Sequence, residues 1–362
     1  MSDSKKIVSI HLERMSHGPN AVGKEPSGRT IMAYGGAPSE WVDVRIRKEH
    51  KRYAEGDVIR VETPSPFRRE PPCMHARSGE CGGCAWQHIS EKGQQEQKQQ
   101  IVVREVSRVA PEAIVHPIRS DVPAFGYRRR ARLGYRNGLL GYRRPRERRI
   151  FDVEQCPVLD SRLEAALPRV REAITGRKSG NIDILLDSNG DVLIGKSAQA
   201  FAQASVSGER ALIELVLMAV PDSSTKIIEL FCGSGTFTIP LVNRGHQVIG
   251  WEYDKSALRR LNRLKPSIKT VRMDLLKSGK KFDFGQAEVV VLDPPRAGAA
   301  PCIPGIVETD AHTIVYVSCA PMTLCRDLAQ LKQHGFCVDW VQPLDAFPQT
   351  HHIECVAKLS RE

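Results

Sequence analysis

The chain has 362 residues, room for two or three domains, and its 41% of hydrophobic residues suffices for ordinary cores. Charged residues make up 26%, no run approaches the roughly 18 apolar residues of a membrane span, and the opening MSDSKKIVSI carries no signal-peptide core, so a soluble, cytoplasmic protein with no membrane association is expected. A formal charge of +11 and ten cysteines point to an anionic partner and argue against structural disulfides in that compartment.

Residues 7 to 63 alternate β-type runs (IVSIHLE, RTIMAYGG, WVDVRIRK, DVIRVET) with Gly and Pro turns, which predicts a small barrel or meander. A proline-rich joint, PSPFRREPPC, ends it. CMHARSGECGGCAWQH then places Cys73, Cys81 and Cys84 in a C-x7-C-x2-C spacing, with Cys156 far downstream in EQCPVLD. Three clustered cysteines, a distant fourth and Gly82-Gly83 to ease backbone access suit a metal site, and the spacing leaves zinc and iron–sulfur both open.

Residues 91 to 110 are polar and predicted helical, and 118 to 200 read as β-rich and basic. Between Tyr127 and Arg149 ten arginines are interleaved with three tyrosines. A charge run is usually a solvated face, but guanidinium groups pair with phosphates and both side chains stack on bases, so the run predicts an RNA-binding surface that includes Arg128, Arg129 and Arg130.

From about 201 the pattern changes to strands alternating with helices, which predicts a parallel sheet whose ligands lie beyond the strands' carboxyl ends. ELFCGSGTF puts Gly233 and Gly235 between the first of these strands and a helix, and Glu252 ends the next strand, 17 residues after Gly235. Glycines let a ligand approach the backbone, and an acid at that strand end binds ribose hydroxyls, so an adenosine-containing cofactor is expected. The third glycine of a dinucleotide fingerprint is absent, which favours S-adenosylmethionine over NAD.

VVVLDPPRAG ends a strand with Asp293 and two prolines; an aromatic next would point to an exocyclic amine acceptor, but Arg296 follows. YVSCAPMTLCRDL places Cys319 on a turn between a strand and a helix, where an exposed thiolate would be stabilised by the helix N-terminus. Carbon 5 of uracil becomes nucleophilic only after a thiolate adds to carbon 6, and a base must later remove the carbon 5 proton. FPQTHHIECV supplies that base candidate, Glu354, near the start of the last strand.

FAQAS, LFCGSGTFTIPL, GWEYD, VLDPPRAG, YVSCAPMTLCRDL and FPQTHHIECV, in this order, resemble the S-adenosylmethionine-dependent RNA uracil-5 methyltransferase family, over nearly the whole chain. The resemblance implies an α/β chain: an N-terminal OB-like TRAM β-barrel (1–64), a β-rich iron–sulfur central domain (65–200, with helical 91–117 packing on the catalytic domain) and a C-terminal Rossmann-like methyltransferase domain (201–362). It makes Cys319 the nucleophile and Glu354 the base. Gln203, Phe231, Gly233, Thr236, Glu252, Asp274 and Asp293 match positions that bind the S-adenosyl-L-methionine cofactor. Cys73, Cys81, Cys84 and Cys156 match the ligands of a 4Fe-4S cluster. The expected product is 5-methyluridine in structured RNA, 23S rRNA ahead of tRNA, made by a monomer. The chain departs from the family at Ser205, Thr236 and Ala320, where asparagine is usual, in its longer first cysteine gap, and at Ser39, where PGE is common. A non-catalytic RNA-binding relative is the alternative those lost asparagines favour. A 5-methylcytosine enzyme is disfavoured, since Arg296 stands where its cysteine would follow the Asp-Pro motif.

Overall fold

Five strands at the amino-terminal end, β1 (Ile7–Met15), β2 (Asn20–Lys24), β3 (Thr30–Tyr34), β4 (Trp41–Glu49) and β5 (Tyr53–Thr63), close into a barrel in the order β1-β2-β3-β5-β4. The computed structural model describes residues 6–199, 202–223, 225–277, 279 and 282–361. Period-two alternation turns Ile10 and Leu12, Ile31 and Ala33, and Val42, Val44 and Ile46 into the barrel core. Glu40, fully buried, accepts from the Ala37 and Ser65 amides (2.8 and 3.2 Å) and pairs with Arg68, closing the barrel's end. Ser39 just before it has φ 68°, a left-handed conformation that explains why glycine suits this position.

The described residues divide into two compact units, the first drawn from Met1–Ile101, Pro123–Gln199 and Phe347–His352, the second from Val102–Val122, Ala200–Ala346 and Ile353–Glu362. The sequence reading puts boundaries near 64 and 200 instead, the latter on Ala200 and Phe201, outside the described residues. Segment 347–352, expected with the catalytic domain, belongs to the first unit for local reasons. Gln349 is fully buried there, exchanging hydrogen bonds with Gln94 (2.8 and 3.0 Å), and Lys98 and Tyr127 donate to the Phe347 and Pro348 carbonyls.

Next in the chain is β6 (Ile114–Val115), a strand of the second unit. The first unit adds an antiparallel sheet of β7 (Arg130–Arg136), β8 (Leu139–Gly141), β9 (Ser179–Leu186) and β10 (Val192–Ile194), in the order β10-β9-β7-β8. Two helices, Ser161–Ala165 and Leu167–Ala173, interrupt this region. Leu163, Leu167 and Val170, buried at helical spacing, carried that signal within a stretch read as β-rich.

In the second unit β11 (Lys226–Leu230), β12 (Gln247–Glu252), β13 (Lys269–Arg272), β14 (Val289–Leu292), β15 (Thr313–Ser318), β16 (Cys337–Leu344) and β17 (Glu354–Ser360) form an eight-stranded sheet with β6, in the order β13-β12-β11-β14-β15-β17-β16-β6. β11 to β15 pair in parallel, while β17 runs antiparallel to both β15 and β16. β14 and β15 are buried at every residue, as strands covered on both faces must be. The direction of strand succession reverses between β11 and β14, the place where sheets of this kind open a ligand crevice.

Candidate functional site

The motifs gather at one end of this sheet. Phe231 and Gly233 follow β11, Glu252 ends β12, Asp274 follows β13, Asp293 follows β14 and Cys319 follows β15. Glu354 joins them because β17 runs the other way and starts where β15 stops. Its register pairs Ser318 with Cys355, the neighbours of Cys319 and Glu354, and Glu354 is the carboxyl that acts most strongly on the Cys319 thiol. Gln203, half-buried, lies two residues before Ser205, whose hydroxyl caps helix Val206–Ala219 by accepting from the Gly208 amide at 3.0 Å. Serine therefore performs there the capping that asparagine also provides.

Cys319 is half-buried, not exposed, and the thiol is harder to ionise than the sequence reading expects. Burial pushes it up to about 11, with the Glu354 and Asp293 carboxyls adding to the effect and Arg296, which hydrogen-bonds the sulfur, opposing it. Glu354 is buried, and burial followed by the Asp293 charge holds its carboxyl well above the usual range, again against Arg296. Asp293 itself is pushed up to about 7 by burial.

Arg296 is the cation beside the thiol, and the sequence reading weighed this position only as the lack of an aromatic or a cysteine. Its loop is held from beneath. Asp327, fully buried, accepts from the Ala299 amide and the Tyr316 hydroxyl (both 2.7 Å), and Arg326 donates to the Ala297 carbonyl at 2.8 Å.

At the glycine turn Phe231 and Gly233 have φ of 62° and 55°, and a Cβ on Gly233 would meet nothing within 4 Å, so the turn is open to a ligand. Glu252 accepts from the amides of Gly233 (3.0 Å), Tyr253 (2.7 Å) and Asp254 (2.8 Å), which fixes its carboxylate at the rim. Thr236 is half-buried in the turn, and Asp274 accepts from the Leu276 amide at 3.1 Å. Glu229, which the sequence reading passed over, is buried on β11, and its Oε2 has no hydrogen-bond partner among the described residues. Burial, then the charges of Asp293 and Glu252, push it up to about 8 despite the adjacent Thr238 hydroxyl. An open glycine turn, an orphaned buried carboxyl and a rim of acids fit an adenosine group that carries positive charge.

The four cysteines of the first unit are brought together. Cys73, Cys81, Cys84 and Cys156 are free thiols lining one cavity of about 20 Å³ with Tyr142, Phe151 and Val158. Burial raises Cys81 to about 11, Cys84 to about 12, and Cys156 also upward. Among the described residues no group of three or more His, Cys, Asp or Glu is gathered closely enough for a single metal ion. The donor set fits a thiolate-ligated centre in kind and number. The segment 77–83 that carries Cys81 is mostly exposed.

The basic run is not one solvated face. Arg129 is buried, 9% exposed, and Arg128 is half-buried against the cysteines, acting on Cys81, Cys84 and Cys156. Arginines 143, 144, 146 and 132 instead line a groove of about 550 Å³ with Tyr34, Tyr142 and His351, and Arg146 lies over the Tyr34 ring at 4.3 Å.

A family profile described as tRNA (Uracil-5-)-methyltransferase matches residues 263–362. The chain is 28% identical to a 23S rRNA (uracil(1939)-C(5))-methyltransferase RlmD of Klebsiella pneumoniae, covering 99% of this chain and 96% of that one. It is 29% identical to the protein of the same name from Cronobacter sakazakii (99% and 97% covered). An uncharacterized RNA methyltransferase of Bdellovibrio bacteriovorus is 28% identical over 97% of this chain and 94% of its own. In fold the chain resembles the tRNA (uracil-54, C5)-methyltransferase of Pyrococcus abyssi, solved with S-adenosyl-L-homocysteine, at a TM-score of 0.74 and 23% identity, covering 97% of this chain and 99% of that one.

Proposed function

This chain belongs to the S-adenosylmethionine-dependent RNA uracil-5 methyltransferase family, and from that premise we propose that it forms 5-methyluridine in ribosomal RNA with Cys319 as nucleophile and Glu354 as base. The observation that supports this reading is the β15–β17 register, which pairs their neighbours Ser318 and Cys355, with Glu354, Asp293 and Arg296 all acting on the Cys319 thiol. Ribosomal RNA is preferred to transfer RNA because the full-length relatives above carry that activity in their names.

The target uridine is unstacked so that its ring reaches Cys319. Arg296 supports the thiolate as the sulfur's proton passes to solvent, and the sulfur bonds to carbon 6, placing electron density on carbon 5 and oxygen 4. Bound S-adenosylmethionine supplies an electrophilic methyl group at a sulfonium, and Gln203, Phe231, Gly233, Thr236, Glu252, Asp274 and Asp293 are the residues we assign to holding it. Carbon 5 gains the methyl group as the methyl–sulfur bond of the sulfonium breaks and its electron pair stays on that sulfur, which would leave as a neutral thioether. Glu354, ionised by then, takes the carbon 5 proton, the bond from carbon 6 to Cys319 breaks, and the sulfur leaves as thiolate. Glu354 must therefore give up its proton before its own step. We assign Cys73, Cys81, Cys84 and Cys156 to a 4Fe-4S cluster that orders the first unit; anaerobic protein should be brown with about four irons per chain, and zinc without iron would count against the cluster.

RNA with 5-fluorouridine at the target tests the mechanism, since fluorine cannot leave as a proton. A denaturant-resistant enzyme–RNA complex that needs S-adenosylmethionine is expected, lost in Cys319→Ala and kept in Cys325→Ala. Normal methylation by Cys319→Ala overturns the reading.

A further inference from the structure

We propose that helix Lys255–Leu264 of the second unit carries a phosphate-binding stripe, Lys255, Arg259 and Arg263, along which the backbone of the RNA lies. The inference rests on the reading above that this chain modifies RNA. The helix begins three residues after Glu252 ends β12, so the stripe starts at the catalytic end of the sheet. Ala257, Leu258 and Leu261 are buried and set one face of the helix against its neighbours, and Asn262 donates to the Thr270 hydroxyl on β13 at 3.2 Å. The opposite face is therefore the outer one. Lys255, Arg259 and Arg263, spaced four residues apart, are all exposed on it. Successive charges stand about 6 Å apart along the helix axis, a row that a phosphate backbone can follow.

Residues 255 to 272 hold seven cations and no acid. Among the described residues Lys255, Arg259, Arg263 and Lys265 make no ion pair, and the Arg260 Nε is buried without a hydrogen-bond partner. Asp254, the acid before the helix, is occupied as its cap, accepting from the Ser256 and Ala257 amides at 2.6 and 3.2 Å. Like charges four residues apart repel, and Lys255 stands at the positive end of the helix, so the stripe works against the helix that carries it. A polyanion lying along it removes both penalties. Arginines of the basic run in the first unit differ, because many have carboxylates: Arg132 faces Asp183 at 3.3 Å, Arg144 faces Glu80 at 3.3 Å, Arg149 faces Glu147 at 2.6 Å, and Arg146 pairs with Asp57. Arg272 on β13 donates to the Tyr253 carbonyl at 3.2 Å and lies over the Tyr253 ring at 5.6 Å, and that ring is 60% exposed just before the stripe. Unpaired bases stack on such rings and guanidinium planes, which favours RNA over an acidic protein as the occupant.

The test compares wild type with a triple variant, Lys255→Gln, Arg259→Gln and Arg263→Gln together, and with a double variant, Arg259→Lys and Arg263→Lys. Binding of a ribosomal RNA fragment and of an unrelated RNA hairpin is measured across salt concentrations, with methylation of the fragment alongside. Three lost phosphate contacts should flatten the plot of log affinity against log salt by about 2, at roughly 0.7 per contact. The loss should be equal for both RNAs, because phosphates carry no sequence. KM for RNA should rise with kcat kept, S-adenosylmethionine affinity should not change, and the lysine variant should hold the wild-type slope. Arg259→Gln and Arg263→Gln singly, each flattening the slope by about 0.7, serve if the triple variant does not fold. An unchanged slope in the glutamine variants overturns the proposal and leaves the stripe to an acidic protein or to solvent. So does a loss confined to the ribosomal fragment, which would mean base reading. Wild type whose RNA binding flattens as described but which methylates no RNA refutes the proposed function and not the stripe; wild type that binds neither RNA at low salt refutes both.

Discussion

The two thiol sites of this protein use the same ingredients for opposite ends. In the first unit four sulfurs line one small cavity, and the cation acting on three of them, Arg128, is half-buried. In the second, one half-buried sulfur lies at a sheet end and its cation, Arg296, is exposed on a loop. Burial raises the thiols in both. A cation enclosed with thiols suits permanent charge on them. An exposed one can follow a substrate and support a thiolate that exists only while a bond forms. Neighbouring carboxyls sharpen the contrast: Glu354 and Asp293 act against ionisation of Cys319, whereas the charges that act on Cys84 are those of Arg128 and other thiols.

Arg296→Gln should break that comparison most visibly. If Arg296 supports the attacking thiolate, single-turnover methyl transfer should fall about 100- to 1,000-fold, the usual cost of removing one preorganised donor, with metal content unchanged. Equal rates would reduce Arg296 to a surface residue.

A second effect follows from the raised thiol. With Cys319 near 11, its thiolate is scarce at neutral pH and its alkylation by iodoacetamide in the RNA-free enzyme should rise about tenfold per pH unit from 7 to 10. Mass spectrometry of the modified peptide reads this directly. A plateau near pH 8 would mean that the helix terminus does lower the thiol, as the sequence alone implies.

The carboxyls predict stability. Glu229 rises from its ordinary 4.5 to about 8 on folding, so the native state binds its proton more tightly than the unfolded chain does. Its stabilising contribution is complete below about pH 4.5 and is lost as pH rises through about 8. Glu229→Gln cannot ionise, so this part of the slope should disappear and the ligand-free protein gain up to about 5 kcal/mol above pH 8. Urea unfolding at pH 5 and pH 9 checks it; a variant that keeps the wild-type slope sinks the assignment.

How much of this could be read beforehand depended on range. Four motifs of the second unit end a β-type run, so alternation alone placed Asp293, Cys319 and Glu252 at strand ends, and Glu354 needed only the reversal of one strand. The arginine run misled because charge density says nothing of facing: Arg128 and Arg129 turn inward, and the partners of Arg128 include Cys84 and Cys156, many residues away in sequence. Gln349 illustrates the same limit. Its partners Gln94 and Arg69 are 255 and 280 residues distant, so nothing local marks 347–352 as part of the first unit. Burial of Cys319 was hidden for a related reason, since a turn signal fixes backbone shape and not what covers it.

The smallest effect concerns how the helix after each thiol begins. Downstream of Cys156, Asp160 caps helix Ser161–Ala165 by accepting from the Arg162 amide at 3.0 Å. After Cys319 the equivalent position is Ala320, extended at φ −143° and ψ 91°, and no side chain caps helix Pro321–Gln333. Asparagine there would offer an acceptor to the first turn, worth about 1 kcal/mol in most helices. Pro321 has no amide to leave unpaired, and Thr323 already donates to the Ala320 carbonyl at 3.0 Å, so the gain belongs to the amides of the next turn. Ala320→Asn should therefore raise the unfolding free energy by roughly 1 kcal/mol, measured by urea titration. It should also draw the first-turn amides into a fixed cap beside Cys319, so the alkylation rate at pH 8 reports whether a firmer helix start changes the thiol. A stability gain with unchanged alkylation would assign the cap to the fold alone. No gain would show that Ser318, whose hydroxyl accepts from the Ala320 amide at 3.2 Å, already holds this turn without it.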